Sequence, residues 1–145
     1  MKALVLFDTN YGNTQKVAEA IAETLGAPAV PVTNLKIDEF QNAGLIVVGS
    51  PIVGWKPTEK MIAFLAGLGP GRLKNVKAAA FDTRIRLFIH GDAATKISRA
   101  LERAGAEIVA GPGAFLVKGK EGPLAEGEIE KARGWARLIK TKAGG

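Results

Sequence analysis

The residues Thr9-Asn10-Tyr11-Gly12-Asn13-Thr14 crowd hydroxyls, asparagine amides and a glycine into six positions. Directly before them runs the apolar segment Lys2-Ala-Leu-Val-Leu-Phe7, the kind that forms a strand buried on both faces. Directly after them, Val17, Ala18, Ile21, Ala22 and Leu25 recur at helical spacing, and Gly26 stands where a helix stop belongs. The six residues are therefore a strand-to-helix turn. The first N–H groups of a helix have no partner within it, and the macrodipole makes that end positive. A turn of this composition can wrap a phosphate there without any Lys or Arg. Ordinary capping of the helix by Asn13 or Thr14 is the competing explanation, and spacing alone does not separate the two.

The elements that must position such a site alternate along the chain. Beyond the helix at 14–25, the segment 28–33 reads as an edge strand because of its prolines. Residues Lys36 to Ala43 suggest a short helix, and Leu45 to Val48 a second buried strand followed by a loop over 49–57. Thr58 is placed to cap a helix bearing Met61, Ile62, Leu65 and Leu68. A strand over 77–81 precedes a loop from Asp82 to Gly91. Asp92 caps a helix with Ala94, Ile97, Leu101 and Ala104 on one face. Two strand pieces, 107–110 and 114–117, are separated by Gly111-Pro112-Gly113, and a last helix covers about 125–142. Five strands alternating with helices predict a parallel sheet covered on both faces. Right-handed crossovers with the most apolar strands at the centre favour the order 2-1-3-4-5. Ligands in such sheets bind beyond the carboxyl ends of the strands where the order reverses, here between strands 1 and 3. Loops 9–14 and 49–57 are thus expected to face one another.

At 145 residues the chain has the length of one domain, expected over 1–142 with a fraying tail at 143–145. Hydrophobic residues make up 47 %, which excludes a disordered chain. The absence of cysteine excludes a disulfide scaffold, a thiolate metal site and a Cys nucleophile. His90 is the sole histidine, so a catalytic dyad or a His-based metal site lacks partners. With no signal peptide and no apolar run of spanning length, the expected location is the cytoplasm. Residues 1–72 carry six basic and six acidic side chains, whereas residues 73–145 carry fourteen and eight, so the whole net charge of +6 lies in the second half. These charges recur at helical spacings without interleaved aromatics, the pattern of solvated helix faces rather than a nucleic-acid groove.

The turn at 9–14 resembles the phosphate loop of flavodoxins, which usually reads Ser/Thr-x-Thr-Gly-x-Thr, with Tyr11 standing where that family more often has Thr. Gly49-Ser50-Pro51-Ile52-Val53-Gly54-Trp55 resembles the second flavodoxin loop, beside the isoalloxazine ring. The segment Phe115 to Glu128 with Ala132, Trp135 and Ala136 resembles the family's C-terminal signature. The resemblance implies an α/β, flavodoxin-like doubly wound five-stranded parallel sheet that binds FMN. It implies cofactor contacts from Thr9, Asn10, Tyr11, Gly12, Asn13 and Thr14, and from Ser50, Pro51, Ile52, Val53, Gly54 and Trp55. Trp55 is expected to stack on the ring, although covering hydrophobic core is an open alternative for it. The third loop departs from the pattern by lacking the stacking Tyr, with Phe88 its only aromatic. Asp82, Thr83, Arg84 and Gly91 are the expected contacts there.

The resemblance implies an electron carrier. Two further readings stay open: an FMN enzyme similar to the menaquinone-dependent protoporphyrinogen oxidases or a quinone reductase, and a binding module without flavin. Flavodoxins are typically acidic, whereas this chain is basic, with Arg84 and Arg86 near the expected flavin edge and no obvious acid beside them. One positive charge about 10 Å from the ring, at an effective dielectric of about 20, favours a reduced anion by about 1.7 kcal/mol. That is on the order of 70 mV before screening. A less negative potential and an acidic or membrane-associated redox partner are the resulting expectations.

Overall fold

The computed structural model describes residues 2–35, 40, 42–86 and 91–144. The short helix expected over 36–43 lies largely outside those residues, and Phe88 and His90 lie wholly outside them. In chain order the elements are β1 (Ala3–Phe7), α1 (Asn13–Leu25), β2 (Ala29–Pro31), a 3₁₀ turn (Val32–Asn34), β3 (Leu45–Pro51) and α2 (Glu59–Ala66). They continue with β4 (Lys77–Ile85), α3 (Ala94–Arg103), β5 (Glu107–Ile108), β6 (Gly113–Val117) and α4 (Glu128–Lys142). All ladders between these strands are parallel, in the order β2-β1-β3-β4-β5, with β6 pairing β4 farther along the same edge. β5 and β6 therefore act as two pieces of one fifth strand, split at Gly111-Pro112, and the expected order 2-1-3-4-5 holds.

The period-2 alternation of the central strands builds two cores. Leu4 and Leu6, Ile46 and Val48, and Ala78 and Ala80 face one side, under Met61 and Leu65 of α2 and Ile97 and Leu101 of α3. Val5 and Phe7, Leu45 and Val47, and Ala79 and Phe81 face the other, under Val17 and Ile21 of α1 and Ala132, Ala136 and Ile139 of α4. Each fully buried Leu, Ile or Val side chain contributes roughly 1.5–3 kcal/mol relative to exposure. Phe81, Phe115 and Trp135 meet edge to face, with ring centroids 5.8–6.0 Å apart.

The strand expected over 28–33 is confined to 29–31 and gives way to the 3₁₀ turn, the piece expected over 107–110 to 107–108, and the last helix begins at Glu128. Three further boundaries differ from the sequence expectation and bear on the site or the tail. β3 runs on through Gly49, Ser50 and Pro51, because this end pairs with Phe81, Asp82 and Thr83 of β4. Gly49 is there for space: a Cβ on it would lie 2.1 Å from the Phe81 ring. β4 likewise continues through Asp82-Thr83-Arg84-Ile85, because β6 supplies a ladder partner for 81–85. At the C-terminus, Ala143 is buried and its carbonyl accepts a hydrogen bond from Lys77 Nζ at 2.9 Å, so packing extends one residue into the expected tail.

Candidate functional site

The turn after β1 is shaped by its own hydrogen bond. Thr9 Oγ1 accepts the Gly12 N–H at 2.9 Å, and Gly12 takes φ +89° immediately before α1. A Cβ on Gly12 would meet nothing within 4 Å, so the glycine serves the left-handed backbone rather than close approach. No side chain caps α1. The capping alternative for Asn13 and Thr14 is therefore not realised. The buried Asn13 amide packs against Gly122, where a Cβ would lie 2.6 Å from its Oδ1. Thr14 Oγ1 lies 2.8 Å from Thr83 Oγ1, joining the helix start to the end of β4.

A second set of bonds pins the segment after β3. Ser50 is fully buried; its hydroxyl donates to the Pro51 carbonyl at 2.8 Å and accepts the Thr58 N–H at 3.1 Å. Thr58 in turn donates to Asp8 Oδ2 at 2.6 Å and accepts the Met61 N–H at 3.2 Å, capping α2 as expected. Between these anchors Val53 and Lys56 exchange two backbone hydrogen bonds, at 2.7 and 3.3 Å. Gly54 and Trp55 at the tip have φ +57° and +73°. This is a type I′ hairpin, whose twist requires positive φ at both central residues. A Trp in that region is uncommon, and surrounding contacts hold it there. Its carbonyl accepts from Asp92 N at 3.3 Å and from Lys96 Nζ at 2.9 Å. Gly91 lies so close that a Cβ on it would stand 2.2 Å from Trp55 Cα. The Trp55 side chain is 56 % exposed, so it does not cover core.

The third segment corrects the electrostatics read from sequence. Arg84 has an acid beside it: Asp82 accepts from Arg84 Nε at 2.8 Å and from Nη2 at 2.6 Å, and Asp92 lies 3.7 Å from Nη2. Asp82 and Arg84 stand two apart on a strand, which puts both side chains on one face. The wholly buried Asp82 carboxylate also accepts the N–H groups of Ala93 and Ala94 at 3.2 and 2.9 Å, closing the start of α3. Hydrogen bonding to Asp82, opposed by burial and aided by the Asp82 and Asp92 charges, raises the Arg84 pKa further. For Asp92, burial pushes upward. The Thr95 backbone and hydroxyl bonds, with the charges of Arg84 and Lys96, outweigh it and hold that carboxyl below its ordinary value.

These segments enclose a pocket of about 450 Å³ at the carboxyl ends of β1, β3 and β4. Of the expected residues, Thr9, Asn10, Tyr11, Asn13 and Thr14 line it from the first turn, and Pro51, Ile52, Val53, Gly54 and Trp55 from the second. Thr83, Arg84 and Gly91 line it from the third. Gly12, Ser50 and Asp82 do not line it; they shape the turn, tie the hairpin and anchor Arg84. Ile85, Val117 and Lys120 complete the lining and were not anticipated. The available signal was position: Lys120 lies between Gly119 and Gly122 just past the last strand, where sheet ligands bind. Among the described residues no cluster of His, Asp and Glu has the makings of a metal site, and no helix is long and apolar enough to cross a membrane.

Comparison with known proteins returns a consistent set. A family profile described as Flavodoxin matches residues 5–135. An uncharacterized protein of Methanocaldococcus jannaschii is 31 % identical over 120 residues, covering 82 % of this chain and 76 % of its own. A flavodoxin from the domain Archaea superposes with a TM-score of 0.81 at 22 % identity, covering both chains completely. Oxidised flavodoxin 1 of Bacillus cereus gives 0.82 at 16 % identity over 97 % of this chain and 98 % of its own. Rubredoxin:oxygen oxidoreductase of Desulfovibrio gigas gives 0.79 at 21 % identity, matching 99 % of this chain but 36 % of the larger protein.

Proposed function

Because this chain belongs to the flavodoxin family, we propose that it is an electron-transfer protein that holds FMN in the pocket between the 9–14 turn, the 53–56 hairpin and the end of β4. The observation that carries this is the uncapped start of α1 opening into a pocket whose other walls bring together apolar and aromatic side chains with Thr83, Arg84 and Lys120. The residues present fit the group. Main-chain N–H groups at the helix start suit a phosphate, and Thr9 Oγ1, already an acceptor from Gly12, keeps its own proton to donate. Lys120 adds a positive charge that the phosphate loop itself lacks. Tyr11 and Trp55, 49 % and 56 % exposed, offer aromatic area for a planar ring, and Ile52, Val53, Ile85 and Val117 a dry wall. FMN supplies one- or two-electron transfer when bound, and the protein supplies position and electrostatics.

The Trp55 carbonyl is already committed to Asp92 and Lys96, which holds the hairpin tip in place beside the pocket. Thr83 holds Thr14, so the phosphate end and the ring end are coupled through one buried pair of hydroxyls. A potential less negative than that of an acidic flavodoxin is part of the proposal. It rests on Lys120 and the exposed Arg86 rather than on Arg84, whose charge is met by Asp82. Titration of the flavin-free protein with FMN and with riboflavin, followed by quenching of flavin fluorescence, tests the assignment. FMN is expected to bind about 100-fold more tightly, the equivalent of two or so charge-assisted hydrogen bonds to phosphate. Equal affinities would remove the phosphate site, and absence of quenching by either would remove the flavin.

A further inference from the structure

The 53–56 hairpin has two sides. Val53, Gly54 and Trp55 line the pocket described above, whereas Lys56 and Pro57 line a second groove of about 520 Å³ between α2 and α3. Ile62, Leu65 and Ala66 wall it from α2 at helical spacings of three and four, and Leu68 continues that side. Lys96, Ala100 and Arg103 wall it from α3, again four and three apart. Ile62, unlike its buried neighbours Met61 and Leu65, is 36 % exposed. The floor is thus apolar and the rim cationic. Among the described residues no acid lines the groove, and Lys56 and Arg103 make no ion pair. Asp92 feels the Lys96 charge but sits at the Arg84 side of the helix start and does not line the groove.

We propose that this groove docks an acidic segment of a redox partner protein, an apolar side chain seated against Ile62 and Leu65 and carboxylates meeting Lys56, Lys96 and Arg103. Charge complementarity selects the sign of the partner, and an exposed apolar floor with a charged rim is the form of a protein-binding surface. Concavity selects a protein over an anionic bilayer: a flat headgroup layer reaches the rim but leaves the apolar floor uncovered. The location suits electron transfer, since an occupant lies across one hairpin from the pocket, and Lys96 bonds the backbone of Trp55, which lines it. The inference rests on the electron-carrier reading only for the partner being a redox protein.

The test is a titration of the isotope-labelled protein, followed by amide chemical shifts at low salt, about 50 mM. The probes are a synthetic amphipathic helix with a leucine stripe flanked by glutamates, its lysine counterpart, and phosphatidylglycerol–phosphatidylcholine vesicles. The glutamate helix is expected to shift amides of Ile62, Leu65, Lys96 and Ala100. Arg103→Glu is expected to weaken it about fivefold to tenfold, the effect of reversing one exposed charge. Ile62→Ser, at a half-exposed position that leaves the fold intact, should weaken it as well. The proposal is overturned if the lysine helix binds as tightly, if the shifts fall elsewhere, or if vesicles bind while the glutamate helix does not. The same titration on flavin-free protein separates the two readings: quenching lost with helix binding kept sinks the FMN assignment alone, and the reverse sinks the groove alone.

Discussion

Asp82→Asn probes the node on which the third segment depends. The carboxylate collects four hydrogen bonds, from Arg84 Nε and Nη2 and from the N–H groups of Ala93 and Ala94, at 2.6–3.2 Å, with no exposure of its own. An asparagine that keeps its oxygen at the Oδ2 position, where three of the donors converge, turns its NH₂ toward Arg84 Nε and strips the counter-charge from a guanidinium that is only 16 % exposed. Removing one partner of a buried pair costs about 3–5 kcal/mol. Asp92, 3.7 Å from Arg84, and the partial solvent access of Arg84 place the expected loss near the lower end, about 3 kcal/mol. Arg84→Gln leaves Asp82 its two main-chain donors, so its cost is about 1–2 kcal/mol. Urea unfolding at pH 7 measures both. The same pair makes an electrostatic statement. Each charge, taken about 10 Å from the ring at an effective dielectric of about 20, moves the potential by up to about 70 mV. Asp82→Asn should move it upward, Arg84→Gln downward, and the double variant should stay within about 20 mV of the parent, because the two contributions cancel. An Arg84→Gln variant as unstable as Asp82→Asn, or two single shifts of the same sign, would refute the assignment of Asp82 as the buried counter-charge.

The other expectations separate causes that sequence alone merges. Gly91→Ala drives a Cβ to 2.2 Å from Trp55 Cα and must displace the hairpin, a cost of about 2–3 kcal/mol with a marked change in Trp55 fluorescence. Gly12→Ala meets no atom within 4 Å and pays only for φ +89°, about 1–2 kcal/mol; flavin titration should then show FMN affinity falling more than riboflavin affinity, since the change is at the helix start. The Asp92 carboxyl is held below its ordinary value, so the stability it confers is present above the unfolded pKa, near 4, and is lost as pH falls through the folded value. The parent should therefore exceed Asp92→Asn, which keeps the cap, by less than about 1 kcal/mol at pH 7, and the difference should vanish in denaturant melts near about pH 2.

The order of the sheet was legible because β1 and residues 45–48 of β3 are apolar throughout, the mark of strands covered on both faces, and because α1, α3 and α4 carry clear helical stripes. The ends of β3 and β4 were not. Gly49, Ser50 and Pro51, and then Asp82, are residue types that favour turns, and they read as loop although ladder pairing keeps them extended, on both sides for Gly49 and Asp82 and against β4 alone for Ser50 and Pro51. That misplacement hid the Asp82–Arg84 pair. In a loop their separation means nothing, while in a strand two residues apart is the same face. Gly91 posed a different difficulty, since its requirement comes from the Trp55 backbone thirty-six positions earlier, which no local pattern encodes. The same holds for Lys120, brought to the pocket by the loop that packs Gly122 on Asn13.

Net charge is a poor guide to the field at such a pocket, because pairing decides which charges are felt. Arg84 is answered by Asp82 and Asp92, and Lys131 and Arg133 by Glu128 and Glu130, so several of the cations that make the second half of the chain basic have local counter-charges. Lys56 and Arg103 have none among the described residues, and both stand on the rim of the groove rather than over the pocket. A paired charge acts at a distance as a dipole and fades quickly, whereas an unpaired one still attracts across about a Debye length, about 8–10 Å at ordinary ionic strength. The unpaired cations of the groove rim therefore stand where an approaching protein meets them first, whereas at the pocket behind the hairpin Arg84 is neutralised locally and the positive field comes from Lys120 and the exposed Arg86.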